Sequence, residues 1–434
     1  FTDAGGRVIE FLQHLPKFKN YTIIQLIEYI AHIYVNDWGA KLHPFFLNST
    51  ITQPAYKGDR KIQETLDYFT SLVEGTAFHK EGYCRITGTK SKLFSAGRHN
   101  HILAGSGTFI NFNIDLQSGF YVRKEVLFRM FFVPFGTHRL ADKIALITSN
   151  NPKVSDYFIY QNCLANLELL ALNTSEGVLK SPMNNPANAI FRFAENYVQQ
   201  IQSSLNNEEQ HLFDTIESSL ILYHFSNMGQ KPEFSIYSLD SKAFRFYSDL
   251  SKGQYCDQWK KFVNAHYKPD KKAFFDNESG KWERKGEEIT FEEYSKWKNF
   301  VLNGLINNTS VVRYFLTWSE HNYFPFSIVK FYQTELRNMK KEHIDKIKAI
   351  ADFIVTNCTE DLVAKYIGDL NKAMTRAEFQ KTMLKLQTVS YEQKSDKPLL
   401  TIDEYSELFS QDSNSWVEIR NLMVIGVYQK LHEA

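Results

Sequence analysis

The residues best suited to chemistry lie between Cys84 and Lys143. That window holds nine Lys/Arg (Arg85, Lys90, Lys92, Arg98, Arg123, Lys124, Arg129, Arg139 and Lys143) against Asp115, Glu125 and Asp142, a local net charge of +6 (nine minus three) in a chain whose total is +1. Positive charge gathered in one segment of a near-neutral protein suits an anion held by a shaped site rather than any polyanion at random. Asn111, Asn113, Gln117, Asn150 and Asn151 accompany these cations. A carboxamide offers a donor and an acceptor to a base edge, although amides are also ordinary residues of turns and strand ends. Taken with Lys90, Lys92, Arg98, Arg123, Lys124 and Arg129, they make nucleic acid a competitive ligand.

Other motifs in the window carry less. GSGTFIN (Gly105–Asn111) has glycines that would let a backbone approach a phosphate. It lacks the third glycine of a dinucleotide fingerprint and the GKS/GKT of a P-loop, so a tight turn between strands is an equal reading. His99-Asn100-His101 spells a nuclease-like triplet. On a strand the two histidines would share a face as metal ligands, but no third or fourth ligand sits at a readable spacing. Asp142, Asp156, Glu195 and Glu208 lie apart, there is no G-x-S-x-G elbow, and Cys84 has no evident base. The expectation is a protein that is not an enzyme and holds no cofactor or metal. A metal-dependent nuclease using His99 and His101 is the alternative of another class.

The elements that must position these residues read as an α+β protein. At 434 residues, 43% of them hydrophobic, the chain can bury a large core and form two or three domains. Thr22 with Gln25 starts a helix by a capping box, and Lys61–Gly75 is another helix, stopped by Gly75. HILAG, TFINFNI, GFYV and KIALITSN read as strands. EVLFRMFFVPF reads as a buried helix ended by Pro134 and Gly136. NTSEGVLKSPMNNP reads as a loop and FRFAENYVQQIQSSL as a helix.

Residues 1–294 are expected to form the mixed domain, with 231–289 an irregular, exposed connector inside it. Thr290/Glu293, Thr375/Glu378, Thr401/Glu404 and Ser415/Glu418 are capping boxes ahead of amphipathic runs, so residues 295–434 form an all-α bundle. Its 18 Lys/Arg against 17 Asp/Glu after residue 295 describe a solvated surface rather than a basic one. No apolar run approaches the roughly 18 residues of a membrane span. FTDAGGRVIEF is no secretory signal, and the missing Met places the true N-terminus upstream. Four isolated cysteines (Cys84, Cys163, Cys256 and Cys358) fit a reducing cytoplasm.

Several blocks together resemble the large subunit of the type I-B CRISPR Cascade effector, in the branch named for paired CXXC motifs. They are FTDAGGRVIEF, LAGSGTFINFN, VLFRMFFVPFG, DKIALITSNNPKV, INNTSVVRYF, YQTELRNMKKEHIDKIKAIADFI and SWVEIRNLMVIGVYQKL, collinear along nearly the whole chain. One departure stands out. Only Cys84 of the first pair is present, with Thr87 in the partner position, and Gly119–Arg123, where the second pair should fall, has no cysteine. The zinc knuckle is thus expected to be absent, its place held by hydrogen bonds and packing.

The resemblance implies a non-catalytic subunit of a guide-loaded complex. It would contact the crRNA 5′ handle, read the protospacer-adjacent motif in double-stranded DNA and help open the duplex. Its other implied partners are the backbone, handle-capping and small subunits, and a nuclease-helicase recruited in trans, or a transposition protein where the complex serves a transposon. Guide pairing supplies the long specificity, so such a protein need read only a short motif and the backbone. The implied nucleic-acid-binding residues are Lys90, Lys92, Arg98, Asn100, Asn111, Asn113, Gln117, Arg123, Lys124, Arg129, Asn150 and Asn151. Arg313, Lys330, Arg337, Lys340 and Lys341 are weaker strand contacts in the bundle, which is similar to a Cascade small subunit.

Overall fold

The computed structural model describes residues 1–104, 120–204, 217–227, 232–270, 272–392, 398–409 and 415–433. The fold is α+β, with small sheets in the N-terminal half and helices in the C-terminal half. The chain divides into two compact units, Phe1–Asp240 and Ser241–Ala434.

The core of the first unit is set by two helices that meet closely. Helix α1 (Thr2–His14) packs on α4 (Lys124–Phe132), in which Val126, Leu127, Phe128, Met130, Phe131 and Phe132 are all buried. The approach is close enough that a Cβ on Gly5 would fall 1.8 Å from the Arg129 carbonyl oxygen. The glycine pair of FTDAGGRVIEF therefore has a packing reason. Pro134 ends α4, and a 3-10 turn, Val133–Gly136, follows. Its outward carbonyls would be orphaned in the core. Buried amides of α5 (Pro152–Ala171) satisfy them: Asn162 Nδ2 donates to Gly136 O and Asn166 Nδ2 to Phe135 O, each at 2.8 Å. Helix α2 (Ile23–His32) begins at the Thr22/Gln25 capping box. Beyond it, the Tyr34 hydroxyl donates to Phe131 O at 3.0 Å.

Two sheets complete the unit. Strands β1 (Lys80–Tyr83), β2 (Lys90–Ala96) and β3 (Phe120–Val122) form an antiparallel three-stranded sheet in that order. It follows α3 (Asp59–Glu74), which ends at Gly75 in the left-handed conformation (φ 74°). Strands β4 (His138–Leu140), β5 (Lys143–Ser149), β6 (Leu179–Lys180), β7 (Leu220–Ser226) and β8 (Glu233–Leu239) make a five-stranded sheet, ordered β6-β4-β5-β7-β8. Only its β4–β6 pair is parallel. Helix α6 (Pro186–Ser204) corresponds to the expected FRFAENYVQQIQSSL helix.

HILAG is not a strand. Asn100 Oδ1 accepts from Gly97 N–H at 2.9 Å and His101 N–H donates to Gly97 O at 2.8 Å, which folds residues 97–103 into turns. TFINFNI lies outside the described residues.

The second unit begins well before residue 295. Helices α7 (Ser241–Lys252) and α8 (Cys256–Ala265) join the helical core through aromatic contacts. Phe246 lies 5.3 Å from Phe331, and Phe262 lies 5.1 Å from Phe315 (ring centroids). The compact units therefore divide at Asp240 rather than at residue 294. The described residues of the expected connector form regular elements. β9 (Phe274–Asp276), β10 (Lys281–Arg284) and β11 (Glu287–Glu288) form an antiparallel sheet turned by Gly280 (φ 72°) and Gly286 (φ 82°). Trp282 anchors it, packed with Tyr267 and Ile289, with Nε1 donating to Asn264 O at 2.9 Å.

Helices follow: α9 (Phe291–Tyr294), α10 (Phe300–Ile306), α11 (Val312–Ser319), α12 (Phe326–Glu335), α13 (Lys341–Asn357), α14 (Glu360–Lys372), α15 (Arg376–Glu392), α16 (Ile402–Leu408) and α17 (Ser415–Glu433). TELRNMKKEHIDKIKAIADFI is broken between α12 and α13, where Asn338 takes a positive φ of 55°. α17 is the central helix, packing on α11 to α15, and Leu422, Met423, Val424, Ile425 and Val427 are fully buried in it.

Candidate nucleic-acid interface

The β1–β3 sheet is the part of the basic window that gathers exposed cations and rings. Register sets which residues share a face. Tyr83 opposes Lys90 and Glu81 opposes Lys92, so these four lie on one face of the hairpin. Lys80 opposes Leu93 and Tyr121 opposes Ser95, so Lys80 and Tyr121 share the other. Tyr83 is 71% exposed, and Phe78, Lys80, Arg85, Ile86, Lys90 and Lys92 are exposed beside it. Rings and cations are already paired here. His79 stacks on Tyr121 with centroids 4.4 Å apart, Lys80 Nζ lies 4.8 Å from the Tyr121 centroid, and Lys92 Nζ lies 5.0 Å from that of Phe78. Exposed aromatic faces stack bases and neighbouring cations meet phosphates, and single-strand binders combine the two.

The turn joining β1 to β2 contains Cys84. Burial pushes its thiol up, but donors from the Thr87 hydroxyl and the Arg123, Thr87 and Ile86 backbone N–H groups outweigh that and leave it below its ordinary pKa. Arg85 N–H also donates to Tyr121 O at 3.2 Å. Thus the segment around Arg123 lies against the Cys84 turn, and hydrogen bonds join them.

The remaining predicted residues do not converge on this surface. Arg98 is half-buried, and the Asn100 amide is spent inside the protein, donating to the Tyr68 hydroxyl at 2.7 Å and Ser95 O at 3.0 Å. Arg123 Nε donates to Glu125 Oε2 at 2.5 Å. Partial burial opposes ionisation of Glu125, and this bond overrides it, holding the carboxyl below its usual range. Lys124 Nζ donates to Val73 O at 3.2 Å, and Arg129 is exposed beside α1. Arg139 bonds Ala141 O, and Lys143 pairs with Glu233, both in the five-stranded sheet. Asn150 and Asn151 join the start of α5 to residues 217–219: Asn150 accepts from Ser219 N–H at 2.7 Å, and Asn151 caps Lys153 N–H at 3.1 Å. Asn111, Asn113 and Gln117 lie outside the described residues.

In the second unit Arg313 stacks on Tyr314 (4.6 Å), Lys330 pairs with Asp345, and Arg337 bonds Asn308 O at 3.2 Å. Lys340 and Lys341 are exposed at the start of α13.

The histidine triplet does not present two ligands together. His99 is exposed, and desolvation lowers its pKa. His101 is buried against Phe120 (4.8 Å), its Nδ1 2.8 Å from Ile102 O, and burial pushes it down to about 4. Among the described residues no group of three His, Cys, Asp or Glu could hold a metal. None of the described helices is long and apolar enough to cross a membrane.

His99 and Asn100 do share a feature the sequence did not reveal. With Asn48, Gln53, Tyr68 and Phe69 they line a pocket of about 180 Å³, to which the turn after β2 contributes His99 and Asn100. Sequence reasoning also missed β1, with His79, Lys80 and Tyr83. The available signal was the C-R-I-T-G turn between two short runs ending in Tyr83 and beginning at Lys90. No protein-family model matches the chain, and no curated protein does.

Proposed function

We propose that this chain is the non-catalytic large subunit of a type I-B Cascade-like surveillance complex in the cytoplasm, holding guide RNA or target DNA on the β1–β3 sheet. The observation that carries this reading is the gathering of exposed rings and cations at the three-stranded sheet, with Tyr83, Lys90 and Lys92 on one face, Phe78 and Arg85 exposed next to the strands, and Lys80 on the other face. Such a surface grips backbone and bases without long sequence preference, which suits a subunit whose guide does the reading. The collinear sequence resemblance supports the same assignment. In this role the chain contacts the crRNA 5′ handle, inspects the protospacer-adjacent motif, aids strand opening and recruits a nuclease-helicase. The nuclease alternative has less support, because His101 is buried and engaged by the backbone while His99 is not beside it on a common face.

Ultraviolet crosslinking of the guide-loaded complex, followed by peptide mapping, tests the reading. Crosslinks at Tyr83, Tyr121 or Phe78 are expected. Crosslinks confined to other peptides of this chain, or none at all, would refute it.

A further inference from the structure

The pocket beside the sheet has a defined chemistry. Its walls include Phe46, Phe69, Phe131 and Tyr68, and its polar groups are hydroxyls, the carboxamides of Asn48, Gln53 and Asn100, and the His99 imidazole. Among the described residues no Lys, Arg, Asp or Glu lines it. Desolvation lowers the His99 pKa, so its imidazole is neutral at about pH 7. An ion entering would lose water without gaining an oppositely charged partner, so the fitting ligand is neutral. Aromatic walls favour a flat ring, and carboxamides match the donor and acceptor edge of a heterocycle. Its volume lies below the roughly 300–1,000 Å³ of pockets for drug-sized ligands, which points to one ring system.

Part of the polar rim is fixed and part is open. Asn100 is held by Gly97, Tyr68 and Ser95. Gln53 Nε2 donates to Asn48 O at 3.0 Å, while Gln53 Oε1 and the Asn48 carboxamide are unengaged within the described residues. The covalent link matters as well. His99 and Asn100 follow β2 directly, so the pocket lies just beyond the end of the strand that carries Lys90 and Lys92.

We propose that this pocket receives a single nucleobase turned out of a strand lying on the β1–β3 sheet. The inference rests on the reading of that sheet as a nucleic-acid surface. Extrusion separates the base from its neighbours, and the aromatic walls and amide rim replace its stacking and edge contacts.

The test measures binding of the full chain to single-stranded RNA oligomers of one sequence, each with one abasic position. Four proteins are compared: wild type, His99→Trp, Asn48→Trp and the double variant Lys90→Glu/Lys92→Glu. His99 and Asn48 are both exposed at the pocket, so an indole there fills the space without entering the core, and matching urea midpoints verify folding. Loss of one particular base is expected to weaken wild-type binding on the order of tenfold. The same loss is expected to have no effect in His99→Trp and Asn48→Trp. If the plugged variants respond to every abasic position as wild type does, the pocket is no base site. Binding still lost on charge reversal would then uphold the sheet reading alone. If wild type binds no strand, or the charge-reversed protein binds equally well, both readings fall.

Discussion

Acid should destabilise the first unit through His101, and the size of the effect follows from its surroundings. The ring is 6% exposed and packs edge-on against Phe120. Its Nδ1–H donates to Ile102 O, and Nε2 is buried with no hydrogen-bond partner among the described residues. Protonation would place a charged N–H at Nε2 with no acceptor, which is why burial lowers the pKa from 6.5 to about 4. The folded state therefore resists a proton that the unfolded chain accepts. The stabilisation is fully present above pH 6.5 and is lost as pH falls toward about 4. Linkage gives a loss of about 2 kcal/mol at about pH 5, approaching about 3 kcal/mol below pH 4. Replacing the ring by a neutral one of similar shape, His101→Phe, removes that term. Urea unfolding of both proteins at about pH 7 and pH 5 measures it, since other titrations cancel in the difference. The variant should lose about 2 kcal/mol less than wild type between the two pH values. An identical loss in both proteins would refute the burial argument.

Other consequences follow from packing and charge. Gly5→Ala drives a Cβ into the Arg129 carbonyl and should destabilise by about 1–3 kcal/mol or more, whereas Gly368→Ala, in α14 with nothing within 4 Å of its new Cβ, should stabilise by about 0.5–1 kcal/mol; urea midpoints check both. Trp282→Ala should remove the anchor of the β9–β11 sheet and destabilise by about 3–5 kcal/mol, measured by circular dichroism against urea. Lys90→Glu/Lys92→Glu should flatten the dependence of log K on log salt for a single strand by about 1.4, from about 0.7 per lost phosphate contact, and an unchanged slope would remove those lysines from the interface.

Local signals were the legible ones. The Thr22/Gln25 and Thr401/Glu404 boxes form as read, Glu378 bonds back to Thr375 N–H at 3.0 Å, and Gly75 and Pro134 end their helices. Each depends on residues within a turn of one another. Thr290 makes no side-chain cap bond, because Glu293 N–H bonds the Thr290 carbonyl at 3.0 Å and the Glu293 carboxylate is held by Arg284; the Ser415 side chain lies outside the described residues. The Arg284 rival is brought in by tertiary folding. The same limit explains the site. Lys143 and Arg123 count as free charge in the sequence, but they meet Glu233 and Glu125 in the fold. His99 and His101 fail to share a face because Asn100 turns the chain where alternation suggested a strand. Residues 231–289 read as irregular because Trp282 finds its partners, Tyr267 and Ile289, only once the hairpin has closed. The pocket is least legible of all, since Asn48, Tyr68 and His99 come from three separate segments.

The central claim is that this chain meets nucleic acid within a guide-loaded complex. It is tested most directly by DNA binding of the reconstituted complex with the chain present, absent, or carrying Lys90→Glu/Lys92→Glu, on targets with a full guide match and randomised flanking bases. Loss of binding and of flank selectivity on omission, with weakened binding in the charge-reversed complex, is the predicted result. Binding and flank selectivity unchanged in all three complexes would contradict it.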